Sequence, residues 1–225
     1  MIPWKHLDSA LVPGDITELR LCERGGEFSI RVNGSELMNS RVHGSEDALA
    51  GLACARIASL PTPRVLIGGL GMGYTAAAAL HRLGAGSRVV VAELVPAVVA
   101  WNRSFLGELS GHPLHDPRIT VREADVALIL QEENQAWDAI LLDVDNGPAG
   151  LTRKGNDWLY TEAGLGAACA ALRKAGVLAV WSAGPDRAFA GRLRRAGFGV
   201  EEISVRARGP GGGSRHTIWL ATRRP

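Results

Sequence analysis

The sequence predicts an α/β fold, a mostly parallel sheet with helices on both faces, an antiparallel C-terminal hairpin and a small N-terminal β-hairpin region. Three observations predict it. From Arg64 onward, short apolar runs alternate with helix-like segments, the pattern of βα units joined by short loops. The last two strand-like segments, "GVEEISVRA" and "RHTIWLATR", follow one another without a helix and should pair as an antiparallel edge. The first 40 residues instead carry hairpin turn signals, at Gly25-Gly26 and Asn33-Gly34.

The elements follow in order. "ELRLCERGGEFSIRVNGSELMNS" supplies three strand-like runs, and "SEDALAGLACARIASL" a helix with Ser45 as its N-cap. We divide the chain at this point, into a β-hairpin region over 1–44 and a Rossmann-like domain over 45–225. "RVLIGGL" reads as the first strand of that domain, and "GYTAAAALHRL" as its first helix. "SRVVVAEL" precedes "VPAVVAWNRSFLGEL", a helix with Pro96 in its first turn, where the missing N–H costs nothing. "RITVREA" and "DVALILQEE" form the third unit, and "DAILLDV" with "TEAGLGAACAALRKAG" the fourth, its helix closed by Gly176. "VLAVWSA" is the fifth strand and "DRAFAGRLRRAG" its helix. "ARGPGGGSRH" reads as a flexible surface loop near the site.

Composition narrows the function classes. Of 225 residues, 46% are apolar, enough for a substantial core, and the net charge of +2 gives no global attraction to nucleic acid or an acidic membrane. Five C-terminal arginines (Arg206, Arg208, Arg215, Arg223, Arg224) make a local basic cluster, more in keeping with a solvated surface than with an anion site. Cys22, Cys54 and Cys169 are scattered and odd in number, as expected of reduced, buried thiols in a cytoplasmic protein, and no cluster has metal-ligand spacing. No apolar run reaches the roughly 18 residues a transmembrane helix needs.

The chemistry concentrates at predicted strand ends. "VLIGGLGMGYT" runs from strand into helix, and Gly69, Gly71 and Gly73 would let a ligand lie against the backbone and the helix N-terminus. Alone, that pattern also fits an ordinary tight βα turn. Glu93 ends the second strand, about 20 residues on, where a carboxylate accepts ribose hydroxyls. Asp125 follows the third strand, where it can meet the exocyclic amine of adenine or simply cap the next helix. Together they point to an adenosine-type ligand. A pyrophosphate dinucleotide fits less well, because the G-x-G-x-x-G spacing is not met, and there is no Walker lysine. Asp143 and Asp145 end the apolar run "AILL" just before Asn146-Gly147-Pro148, and carboxylates there are costly to bury unless they have work to do.

On these residues the sequence resembles the spermidine synthase family of aminopropyltransferases, built on the Rossmann-like class I methyltransferase fold. "VLIGGLGMG", "VVVAELVPAVVAWNR", "RITVREADV", "WDAILLDVDNGPAGLT" and "GNDWLYTEAGLGAACAALRKAGVLAVWSA" carry the likeness, which spans nearly the whole chain. It implies a transferase of polyamine biosynthesis that binds decarboxylated S-adenosylmethionine, needs no metal and forms a homodimer. It assigns the ribose to Glu93, the adenine side to Asp125 and the orienting base to Asp143. Asp145 becomes a secondary anchor for a cationic amine acceptor.

The sequence departs from the family's pattern at three places. Met72 stands where the family's glycine loop carries an aspartate for the donor's amino group. Ser45, Glu46 and Asp47 replace a Tyr-His-Glu type run, and "DVDNGP" shortens the spacing of the paired aspartates. These changes keep open a methyltransferase using intact S-adenosylmethionine, whose carboxylate Arg41 would clamp, or a nucleoside-binding protein without catalysis. His43, Glu46, Asn146 and Tyr160 complete the expected acceptor-side residues. Trp181 and Trp219 are expected in the core, and His216 is ambiguous.

Overall fold

The computed structural model describes residues 2–144, 147, 154–209 and 212–224, with the backbone alone at 154–156. Asp145 and Asn146 lie outside the described residues.

Four strands, β1 (Lys5–Leu11), β2 (Glu18–Arg24), β3 (Glu27–Val32) and β4 (Ser35–Asn39), form an antiparallel meander in sequence order. Its second and third turns fall at the expected dipeptides, with positive φ at Gly25 and Gly26 and at Asn33 and Gly34. Strand β1 was not expected. Its sequence, KHLDSAL, is mostly exposed and carries little apolar alternation, so only its pairing with β2 defines it. Asp8 on that strand accepts the indole N–H of Trp101 at 2.7 Å and ties the meander to the main domain.

The second sheet has seven strands, β5 (Arg64–Gly68), β6 (Arg88–Glu93), β7 (Ile119–Glu123), β8 (Trp137–Leu142), β9 (Leu172–Ser182), β10 (Phe198–Arg206) and β11 (Arg215–Arg223). Their spatial order is β10-β11-β9-β8-β5-β6-β7. The five strands β5 to β9 run parallel, and β11 pairs antiparallel with both β9 and β10, as the closing hairpin predicts. The period of two in each strand sorts the core into two layers. Val65, Ile67, Val89, Val91, Ala139 and Leu141 face α1 (Gly44–Ile57), α2 (Tyr74–Arg82) and α3 (Pro96–Arg103). Leu66, Ala92, Ile140, Leu142, Leu178 and Val180 face α4 (Val126–Glu132), α5 (Glu162–Ala171) and α6 (Arg187–Arg195). Every residue of β8 is buried, which explains its unbroken apolar run.

Several boundaries differ from expectation. Helix α5 stops at Ala171 rather than at Gly176. Leu172 already pairs with Trp137, and the next pair is Val177 with Ala139, so Arg173–Gly176 bulge out of the ladder. Ala175 there has φ +59°, incompatible with continuing a helix. Helix α3 ends at Arg103, before a separate 3-10 turn over Gly107–Ser110. Helix α1 begins at Gly44 with His43 in the N-cap position, so Ser45 is not the cap but a fully buried first-turn residue. The segment around Ala207–Gly209 is packed rather than free. Gly44 N–H donates to the Ala207 carbonyl at 2.8 Å, and a Cβ on Gly44 would sit 2.3 Å from the Gly209 nitrogen. Cys22 and Cys54 are buried as expected, and burial pushes the Cys54 thiol up to about 12; Cys169 is only half-buried.

Candidate active site

The chain order reverses at β5, which sends β6 and β7 to one side and β8 and β9 to the other. Crevices form at the carboxyl ends of strands at such a switch point. Gly69, Glu93, Asp125 and Asp143 all lie there, each at or just past the end of its strand.

The glycine loop leaves β5 in conformations that favour glycine, with φ +90° at Gly69, +53° at Gly71 and +85° at Gly73. A Cβ on Gly69 would lie 2.4 Å from the Asp143 carbonyl oxygen, so this glycine allows two strand ends to touch. Gly73 does not line the cleft; it turns the chain into α2, where a Cβ would collide with Ser110 and Asn102. Asn102, buried on α3, donates to the Gly71 carbonyl at 2.8 Å and holds the loop from behind. Nothing in the local sequence of α3 marked it for that duty.

Glu93 accepts the backbone N–H of Leu70 at 2.9 Å through one oxygen and that of Val95 at 2.9 Å through the other. Burial raises its pKa, and these backbone hydrogen bonds oppose the rise. Asp125 does cap α4, accepting from the Ala127 N–H at 2.9 Å, and it also lines the cleft. The two roles do not compete.

Two adjoining chambers open from these residues. The larger has about 930 Å³ of empty space with the open solvent at its mouth included, and its ionisable groups, Glu93, Asp125 and Asp143, sit with Thr17 among apolar side chains from both sheets. The N-terminal meander roofs it with Val12, Leu19, Ile30, Val32, Leu37 and Met38. The smaller, of about 610 Å³, is lined by Glu46, Met72, Tyr74, Thr75, Asp143 and Trp181 among others. Leu37, Met38, Gly71 and Asp143 border both. Among the described residues no lysine, arginine or histidine lines either chamber.

Asp143 sits at the junction. Its partner is the Thr75 hydroxyl, which donates to Oδ2 at 2.5 Å. Burial lifts its pKa to about 6, and the Thr75 hydrogen bond opposes that rise. Glu46, on the first turn of α1, is pushed up to about 7, first by burial and then by the charge of Asp143. Burial and their mutual repulsion therefore bring two carboxyl groups to titrate near neutrality in one chamber.

The structure separates the other expected residues. Arg41 is exposed and bound to Glu27 at 2.7 Å, outside both chambers, so it is not placed to clamp a ligand carboxylate. The meander does fold over the site, but it presents Leu37 and Met38 there and turns Arg41 away. His43 stacks on Tyr74, with ring centroids 4.1 Å apart, and contacts Asp47 at 2.9 Å, beside the smaller chamber and not in its lining. Met72 is buried in that chamber's wall. Tyr160 belongs to the core beneath the site, with its hydroxyl on the Val144 carbonyl at 3.0 Å and its ring against Phe189. Trp219 is core as expected, but Trp181 is half-buried and faces the smaller chamber. Sequence reasoning missed Tyr74 and Thr75. Their position directly after the glycine loop, on the first turn of α2, was the available signal.

At the level of sequence, no protein-family model and no curated protein matches the chain. At the level of structure it is similar to spermidine synthase from Thermotoga maritima, with a TM-score of 0.75, 20% identity, and 97% of this chain matched to 72% of that one. A spermidine synthase in complex with the transition state analogue AdoDATO matches equally well, at TM-score 0.75 and 19% identity over the same shares. A methyltransferase from Burkholderia thailandensis, solved with 1,6-didemethyltoxoflavin and S-adenosylhomocysteine, is similar at TM-score 0.55 and 18% identity, over 81% of this chain and 80% of that one. The chain thus has the spermidine-synthase-like form of the class I methyltransferase fold.

Proposed function

We propose that the protein is a transferase that uses an S-adenosyl nucleoside donor and passes its aminopropyl group to an amine of the polyamine type. The observation that carries this reading is the charge of the cleft, whose described ionisable lining consists of Glu46, Glu93, Asp125, Asp143 and the Tyr74 phenol. A sulfonium donor that ends in an ammonium, and an acceptor that arrives as an ammonium, both suit an acidic cleft; an α-carboxylate does not. Support for the nucleoside comes from the AdoDATO and S-adenosylhomocysteine complexes of the two similar folds.

In this reading Gly69 and Gly71 let the adenosine lie against the backbone, Glu93 takes the ribose hydroxyls and Asp125 the adenine edge. The acceptor enters the smaller chamber as an ammonium, and Asp143 orients it and takes a proton. The freed amine attacks the carbon beside the sulfonium. A C–N bond forms, the C–S bond breaks, and the electron pair returns to sulfur, which leaves as neutral methylthioadenosine. A carboxyl that titrates near 6 is ionised at neutral pH and basic enough to hold the proton briefly. Met72 contributes an apolar wall where the family's pattern has an acid for the donor's amine, a duty that Glu46 takes over from the same chamber.

Methyl transfer from intact S-adenosylmethionine is the alternative, favoured by Met72 and by the methyltransferase likeness, and weakened by the engagement of Arg41 with Glu27. Calorimetric titration with S-adenosylmethionine, its decarboxylated form and methylthioadenosine separates the readings. We expect the decarboxylated donor to bind tightest; preference for the intact donor would overturn aminopropyl transfer, and binding of none would overturn the nucleoside site.

A further inference from the structure

Glu46 has a second connection that the transfer step does not use. Its Oε2 accepts the Ser45 hydroxyl at 2.6 Å. The Ser45 Oγ, fully buried, lies 2.9 Å from Nδ1 of His216 on β11. Nε2 of the same ring lies 3.1 Å from the hydroxyl of Ser214, an exposed residue. These contacts make an unbroken line from the wall of the smaller chamber to the protein surface, across 171 residues of sequence at its longest step. The directions close without conflict when Ser214 donates to Nε2, Nδ1–H donates to Ser45, and Ser45 donates to the Glu46 carboxylate. Every link is a serine hydroxyl or an imidazole, groups that both give and accept a proton.

We infer that Ser45, His216 and Ser214 form a proton relay that carries the proton collected in the cleft from Glu46 to solvent. The inference rests on the proposed reading for the source of that proton, the ammonium of the acceptor, from which Asp143 takes it and passes it within the smaller chamber to Glu46, the more basic of the two carboxylates. With the imidazole protonated at Nε2, the Glu46 carboxyl gives its proton to Ser45 while Ser45 gives its own to Nδ1. The imidazolium then releases the Nε2 proton past Ser214 to water. Glu46 is left ionised and accepting from Ser45, and the ring is left protonated at Nδ1, the arrangement described above. One proton leaves the carboxyl and one reaches solvent. The cycle closes when the imidazole turns about Cβ–Cγ away from Ser45, gives the Nδ1 proton to water, takes one up at Nε2 and turns back.

The surroundings suit the task. Glu46 faces Asp143 across the chamber, with Tyr74 on α2 and Asp47, paired to His43, beside it on α1. His216 meets the edge of the Trp181 ring on β9 with centroids 4.8 Å apart, is paired with Val205 on β10, and has exposed Arg215 next to it on its own strand. Burial lowers the His216 pKa, which keeps the ring neutral and ready to accept at neutral pH. Ser45 and His216 act through Glu46 and touch no reacting atom. A purely structural tie between α1 and β11 would use the same contacts, so the test must read proton position.

The full-length protein labelled with 15N-histidine would be titrated from about pH 5 to 9, with the His216 ring assigned from His216→Gln. The relay predicts that the His216 tautomer and titration respond to the ionisation of Glu46, and that Glu46→Gln and Ser45→Ala each abolish the response. A His216 titration identical in wild type and both variants overturns it. In the transfer assay, His216→Gln keeps an amide to bond Ser45 but cannot relay. It should lower kcat by roughly tenfold at neutral pH, leave the donor KM unchanged, and regain rate with added imidazole. Unaltered kcat and pH profile in an active enzyme also overturn the relay. A wild-type protein that shows the NMR coupling but transfers no group from any donor overturns the proposed function and leaves the wiring in place.

Discussion

Two aspartates on one strand make an instructive pair. Asp138 lies near the start of β8 and Asp143 just beyond its end, five residues apart, and both leave the same fully buried run. Asp138 accepts the Arg64 backbone N–H at 2.7 Å and the Arg173 guanidinium at 2.9 Å. Its charge is matched on the spot, and it pins β5 and the bulge of β9 to β8. Among the described residues Asp143 faces a chamber with no lining cation and accepts the Thr75 hydroxyl, and burial lifts it to about 6. The sheet uses one carboxylate to close its amino-terminal edge and leaves the other poised at its carboxyl-terminal edge. What separates the charge-matched acid from the proposed base here is the partner, not the residue type or the strand.

Substitutions at the two positions should therefore fail in opposite ways. Asp143→Asn keeps the shape and the Thr75 contact but removes the base, and should cut turnover by about 10²–10⁴-fold. Thermal melting at neutral pH should hold or rise, because a charge that costs free energy to bury is gone. A large loss of stability would break the comparison. Asp138→Ala should do the reverse. It strands a backbone donor and a partly exposed arginine, costing about 2 kcal/mol in denaturant unfolding, with donor affinity nearly unchanged.

Glu93 shares features of both, being held by backbone donors yet facing the ligand chamber. Glu93→Gln should weaken every adenosine ligand by about ten- to a hundredfold in calorimetry, in line with about 1.5–3 kcal/mol for hydrogen bonds to a charged group. Unaltered affinity would remove the ribose assignment.

The pH dependence sharpens the contrast further. Asp143 and Glu46 have folded-state pKa values of about 6 and about 7, raised from ordinary values of 3.8 and 4.5. Their contribution to stability is fully present below about pH 4 and is lost as pH rises through 6 and 7, the opposite of a salt-bridged acid. Melting temperature should fall over that interval, and the fall should flatten in the Asp143→Asn, Glu46→Gln double variant. Turnover should rise over the same interval as the base ionises. The smallest effect is expected from Thr75→Val, which removes the hydrogen bond that holds Asp143 down and should move the turnover midpoint to higher pH. A midpoint that stays in place would show that Thr75 does not tune the acid.

Much of the fold was legible because β-strand and hairpin chemistry is local. The short apolar runs "RVLIGGL" and "SRVVVAEL", and the dipeptides Gly25-Gly26 and Asn33-Gly34, carry their structure in a few residues. Strand β1 and the end of α5 were not legible. The first exists by pairing with β2, and the second stops because Leu172 finds Trp137 in the ladder, contacts that no local window contains. The candidate site divides in the same way. Gly69, Glu93, Asp125 and Asp143 sit at strand ends, so topology alone collects them at one edge.

Arg41, His43 and Tyr160 are close to that edge in sequence terms, yet packing turns Arg41 to Glu27, His43 onto Tyr74 and Tyr160 into the core. By itself the sequence determined the order of elements, the glycine loop and the acids that end the strands, because spacing and backbone chemistry act over short range. Only the tertiary structure decided which acids are buried side by side, which roof covers them, and that Ser45 on α1 meets His216 on β11. Those properties depend on dielectric surroundings and on contacts between residues far apart in the chain.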